Sequence, residues 1–361
     1  MKKIGLLISV FTLVLFSCNK EEEITCQSDF DKKAMLANYS NSLIIPRYET
    51  LEKNLTSLYT KINVFISSNS LSDFNALNAS FDSTYLSWQG VSYFQFVPAE
   101  TYVIKSVFNI FPVDTTKINN NISSGSYILG SASNTDAIGL PALDYLLHKG
   151  SSETLSFNYF TGTNSANKKQ YLLDLVNQLS STLSSVLNQW NTSYKSIFNN
   201  SDGTSQGSSL SNIVNALNLD FEKFIRDGKV GVPLGVRSLG TPLPEKSEAY
   251  FGGKSTELCK ESILKLKSYF KGGSGQGLDD YLIQLDAKHG SQLLATKINN
   301  QFDLIISKIN ALSSPIAEEV IANQANVQDL YDEMQRMVVL LKVDLSSALS
   351  ILITYQDNDG D

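Results

Sequence analysis

Apolar side chains return along this chain with a helical rhythm. From Asp31 to Ser67 they recur every three to four positions, through Met35, Leu36, Tyr39, Leu43 and Ile44 and, after Pro46, through Tyr48, Leu51, Leu55, Leu58, Tyr59 and Ile62. Such spacing keeps one stripe of an α-helix apolar. Leu71–Phe96 repeats it with aromatic residues: Phe74, Phe81, Tyr85, Trp88 and Phe94. Further helices are predicted over 142–148, 168–198, 210–224, 255–270, 278–310 and 316–351, the last with Val327, Leu330, Met334, Met337 and Leu341 on one side. Alternating, strand-like runs are few and short. The predicted fold class is all-α.

Polar punctuation separates these stretches. Gly150–Asn167, rich in Ser, Thr, Asn and Gly, reads as an interdomain connection or long loop, and Asn199–Ser209 as a second loop. Gly228–Gly253 holds Pro233, Pro242 and Pro244 yet keeps Val230, Val232, Leu234, Val236 and Leu243. It is expected to be non-helical and packed against a bundle, the kind of ordered long loop that helps build sites. A length of 361 residues exceeds what one core usually organises, so one large or two medium domains are expected.

The first residues change the picture from fold to location. Lys2 and Lys3 precede an apolar run, Ile4–Phe16, shorter than the about 20 residues a membrane span requires. The run ends in Leu15-Phe16-Ser17-Cys18, which resembles a lipobox, with Phe16 departing from the usual residue there. Residues 1–17 are therefore read as a lipoprotein signal peptide, with Cys18 as the lipidated residue and 18–30 as a tether. An ordinary secretory signal followed by a free cysteine is the alternative. Several acyl chains on Cys18 would hold the protein stably on a lipid membrane. Asn19, in place of Asp, predicts onward transport to the outer membrane, facing the periplasm or the cell surface. Export permits a disulfide between Cys26 and Cys259, and the sequence leaves that pairing open. The formal charge of −7 and the lack of a basic patch exclude nucleic acid as a partner.

Chemistry is limited by histidine. Only His148 and His289 exist, far apart, and neither begins a His-Glu-x-x-His pair, so a zinc peptidase of that type lacks its ligands. No Gly-x-Ser-x-Gly turn is present, and no glycine loop for phosphate precedes a helix. The segment Gly139-Leu140-Pro141-Ala142-Leu143-Asp144-Tyr145-Leu146-Leu147-His148 holds the most chemistry. Pro141 suits the first turn of a helix, and Asp144 suits the positive end of its dipole. Asp144 and His148, four apart, share a helix face and could share a metal. The closing Asp357-x-Asp359-Gly360-Asp361 begins like a calcium loop but stops before the bidentate carboxylate, which leaves a solvated acidic tail.

Gly139–Leu147 resembles the signature of the imelysin family, Gly-x-His-x-x-Glu followed by Tyr-Leu-Leu. Five other segments resemble that family in the same order: Met35–Phe65, Trp88–Pro98, Phe111-Pro112-Val113-Asp114, Pro244–Gly253 and Gly277-Leu278-Asp279-Asp280. The final Gln356–Asp361 resembles its Asp-Gly-Asp ending. The resemblance implies two helical-bundle domains packed side by side, here 31–160 with the signature helix and 161–361. It also implies a site at their junction, an envelope location and a link to iron acquisition. The family's founding members were described as insulin-cleaving metallopeptidases; for this chain the cofactor is left unknown, with iron or another metal open. This chain departs where it matters: Pro141 occupies the family's His position and Asp144 its Glu position, so a His/Glu metal pair cannot form on this helix.

The sequence thus favours a binding role without catalytic residues. The candidate site comprises Gly139, Pro141, Asp144, Tyr145, His148, Glu245, Glu248 and Tyr250, and the partner is a small ligand or an envelope protein. A metal-dependent peptidase and a structural lipoprotein are the alternatives. Asp144 and Glu248 are expected to meet in one cleft, where neutralising both would leave stability equal or higher.

Overall fold

The computed structural model describes residues 30–355. The signal segment, Cys18, Cys26 and the acidic tail lie outside them. The described chain is all-α apart from a two-residue hairpin, Lys288–His289 against Gln292–Leu293. No described helix is long and apolar enough to cross a membrane.

Helix Ile45–Ser68 carries the predicted stripe inward, burying Tyr48, Leu51, Leu55, Leu58, Ile62 and Phe65. It packs on Leu71–Trp88, which opens with Ser70 accepting from the Asp73 N–H, and on Ser165–Gln189. The helix Ser165–Gln189 also covers Ile104–Phe108, Thr115–Ser124, Gly139–Leu147 and Glu153–Thr161. Helix Ser165–Gln189 thus packs against elements that precede residue 160. Gly150–Asn167 is no simple loop. Ser152 caps the helix Glu153–Thr161, which buries Phe160.

In the second bundle, Ser255–Phe270 packs on Leu294–Asn310, and that helix packs on Gln324–Val339. The predicted helix over 278–310 is split, because the chain turns at Asp286, with φ +48°, into the hairpin. Helix Ser209–Leu219 runs on as a π-helical segment, Asp220–Gly231, and ends at Leu234 before Gly235. The first residues of Gly228–Gly253 are thus helical, contrary to expectation, and only the remainder is turns. Val230 and Leu234 are buried, whereas Leu239 is fully exposed.

One buried apolar cluster runs through both bundles. Near the start of the chain, Asn38 donates to the carbonyls of Gly272 and Gln276 at 2.8 and 2.9 Å. Tyr39 donates to the Tyr269 carbonyl at 2.7 Å and accepts from the Leu278 N–H. Cys259 is a free, fully buried thiol whose pKa is pushed up to about 12 by burial; Cys26, its expected partner, lies outside the described residues.

Candidate functional site

The signature helix, Gly139–Leu147, is buried along its whole length. Its first residue has φ +82°, and a Cβ there would lie 2.5 Å from the Phe108 carbonyl oxygen and 2.8 Å from that of Val107. Only glycine permits this approach. Pro141 sits in the first turn, where its missing N–H is no loss.

Asp144 is 1% exposed and does not behave as a dipole partner at a surface. Its Oδ2 accepts from the Phe251 N–H and its Oδ1 from the Gly252 N–H, each at 3.0 Å. The second bundle's Pro244–Gly253 segment is thereby clamped to the signature helix. A Cβ at Gly252 would come within 2.6 Å of Asp144 Oδ1, so glycine is required for the clamp. Burial raises the Asp144 pKa, against the lowering effect of His148 and the two N–H donors.

His148 Nδ1 lies 3.0 Å from Asp144 Oδ1 and 3.2 Å from the Asp144 carbonyl. Both neighbours are acceptors, which places the hydrogen on Nδ1. The two side chains predicted to share a helix face do meet, through a hydrogen bond. Burial pulls the His148 pKa down, but the Asp144 bond and charge, with Asp82, outweigh it and raise it overall. A raised histidine pKa stabilises the fold fully below the ordinary value and less as pH climbs through the folded value. His148→Gln is therefore expected to lower stability more at about pH 6 than at about pH 9. Urea unfolding at both pH values checks this, and an equal loss at each would dismiss the charged pair.

Glu248 is fully buried and belongs to a different network. It is ion-paired with Lys229 and accepts from Asn109 Nδ2 at 2.7 Å and Gln89 Nε2 at 3.2 Å. Gln89 Oε1 in turn accepts from Lys229 at 2.9 Å and from Ser262 at 2.8 Å. Asp144 and Glu248 thus reach the same segment, but each carboxylate is compensated by its own donors. The expectation that both could be neutralised without loss is corrected, since Lys229 would be left unpaired.

Two neighbouring cavities open at this junction. A groove of about 290 Å³ is lined by Pro141, Asp144, Glu245, Lys246, Tyr250 and Phe251. Of these, Glu245 and Tyr250 are exposed. Tyr145 is not in the groove. Its hydroxyl accepts from Asn119 and Lys149, and its ring meets Phe251 edge-on. Gly139 and Glu248 likewise stand behind the walls.

The second cavity, about 250 Å³, shares Phe111, Pro112 and Lys246 with the groove. Gln89, Lys105, Asn109, Asp220 and Lys229 also line it, and periodicity pointed to none of them. Asp220 and Lys229 are nine apart. At 3.6 residues per turn that is two and a half turns, which sets them on opposite faces. The wider i→i+5 winding of Asp220–Gly231 makes nine residues about two full turns and brings both to the cavity. Lys105 pairs with Asp220 and lies 3.3 Å from the Phe224 ring centre. Burial lowers the Lys105 pKa to about 8.

A metal at the signature helix does not fit these donors. Pro141 offers no ligand atom, and both Asp144 oxygens already accept N–H hydrogens. Among the described residues no group of three or more His, Cys, Asp and Glu side chains could hold a metal ion.

No curated protein matches the sequence. An imelysin-like protein from Psychrobacter arcticum has a similar structure, with a TM-score of 0.72 at 16% identity, covering 91% of this chain and 99% of that one. A protein described as a candidate iron-regulated protein A precursor from Parabacteroides distasonis is similar at TM-score 0.72 and 17% identity, covering 88% of this chain and 95% of its own. These likenesses establish a shared fold. The imelysin family model matches residues 44–342, most of the chain, and the protein belongs to the imelysin family.

Proposed function

We propose that this protein is a non-catalytic binding protein of the bacterial cell envelope, anchored to the outer membrane through Cys18. It takes a small ligand in the groove beside the signature helix. The observation that carries this reading is the use of Asp144 as a clamp. The position at which the family pattern has Glu here grips two backbone N–H groups of the other bundle, and Pro141 replaces the imidazole that would support a metal-bound water. What faces the groove is a recognition surface, with Tyr250 and Phe251 beside Glu245 and Lys246. The ligand is one connected with iron or another metal, a reading in keeping with the Parabacteroides neighbour, which is described as iron-regulated.

Two measurements test the proposal. Highly purified protein should leave insulin chains intact with or without chelator, and chelator-sensitive cleavage lost in Asp144→Ala would overturn the non-catalytic reading. In the native host, Cys18→Ser should abolish labelling by a fatty-acid analogue and release the protein from the membrane fraction. Unchanged labelling would remove the anchor.

A further inference from the structure

The second cavity carries chemistry that the clamp and the groove do not use. Its walls come from both bundles: Gln89, Lys105 and Asn109 from the first, and Asp220, Lys229 and Lys246 from the second. In its wall or directly behind it stand three ammonium groups, Lys105, Lys229 and Lys246, and two carboxylates, Asp220 and Glu248. Two of the lysines are neutralised, Lys105 by Asp220 and Lys229 by Glu248. Lys246 has no carboxylate partner among the described residues. The cavity therefore carries an excess of one positive charge, on the half-buried Lys246.

The amide groups add direction. Gln89 and Asn109 turn their NH₂ groups to Glu248, which fixes both side chains as the cavity meets them. At 12 residues, Asp220–Gly231 is the longest of the π-helical segments among the described residues. It stands where ordinary α-helical winding would turn Lys229 away from Asp220, and widened turns of this kind are frequent at functional sites.

We infer that this cavity is a binding site for a small oxyanion, a phosphate or a carboxylate, held by Lys246 with Lys105 and Lys229 behind it. A volume of about 250 Å³ accommodates inorganic phosphate or a short dicarboxylate. The anion would neutralise the excess charge and bridge the two bundles, since its contacts come from both. Lys246 lines both this cavity and the groove, whereas Phe224 lines this cavity and not the groove, so a variant at Phe224 separates the inference from the proposed groove ligand.

Calorimetric titration of the full chain with inorganic phosphate and with succinate, at constant ionic strength set by chloride, tests the site. Saturable one-to-one binding of at least one of them, with Kd below about 1 mM, is expected. Lys246→Gln should weaken it about tenfold or more without changing thermal unfolding of the unliganded protein, because Lys246 is half-buried and unpaired. Phe224→Trp, which narrows the cavity without altering charge, should weaken it as well. The stronger of the two probes identifies the oxyanion class. No saturable heat for either probe up to about 10 mM would overturn the inference. So would equal affinity in Lys246→Gln, or loss in that variant with none in Phe224→Trp, the pattern of diffuse attraction to surface lysines.

Discussion

Glu248→Ala should lower the stability of this protein by about 3–5 kcal/mol, the usual consequence of removing one partner from a buried ion pair. Glu248 is fully buried, and three donors converge on its two oxygens: Lys229, Gln89 and Asn109. Truncation leaves the Lys229 ammonium, 6% exposed, without its counter-charge, and two amides without an acceptor. Most of the loss should come from that stranded charge rather than from the missing contact. Lys229→Met combined with Glu248→Leu should therefore be more stable than Glu248→Ala alone, although it removes more polar groups. Urea unfolding of the single and double variants measures both. A single-variant loss under about 1 kcal/mol would mean that water reaches Lys229 and that the network is not closed.

Gly139→Ala is the second change with a large expected effect, about 3 kcal/mol. Two costs add. A side chain at φ +82° pays for left-handed backbone, about 1–2 kcal/mol, and its Cβ would overlap the carbonyls of Val107 and Phe108, which as backbone cannot swing aside. Relief requires the signature helix to lift from Ile104–Phe108, carrying Asp144 away from Phe251 and Gly252. The variant should therefore also move the His148 titration back toward that of an ordinary histidine, readable by NMR. A stable variant with an unaltered His148 titration would show that the helix start is not tied to the clamp.

Elements that depend on local spacing are legible in the amino-acid sequence. The apolar stripe of Ile45–Ser68, the proline in the first turn of the signature helix and the contact of Asp144 with His148 four residues on all follow from helical period. The groove residues Pro141, Asp144, Glu245 and Tyr250 are legible through family resemblance, since they come from segments about a hundred residues apart. What spacing does not carry is the role of each carboxylate. Asp144 has the position of a helix-dipole residue, because its real partners, two backbone N–H groups, leave no mark in side-chain letters. Glu248 gives no hint of Lys229, although the pair is only 19 residues apart, because turns and a π-helical segment intervene. Periodicity assumes one winding throughout, so it sets Asp220 and Lys229 on opposite faces. Polar composition over Gly150–Asn167 marks a break in exposure and carries no sign that Ser165–Gln189 packs back on Ile45–Ser68 through its buried face.

Asn38 and Tyr39 have a mechanical meaning. They sit where the first described helix, Lys32–Asn38, passes into the π-helical turn Tyr39–Ile44, yet they are bonded to Gly272, Gln276, Tyr269 and Leu278 of the second bundle. Tension applied to the chain ahead of Asp31 therefore does not peel the first helix from its own bundle alone. The load divides at once between Ile45–Ser68 below and the end of Ser255–Phe270 beside it. Relative motion of the bundles must therefore break or carry along this fastening as well as the Asp144 clamp.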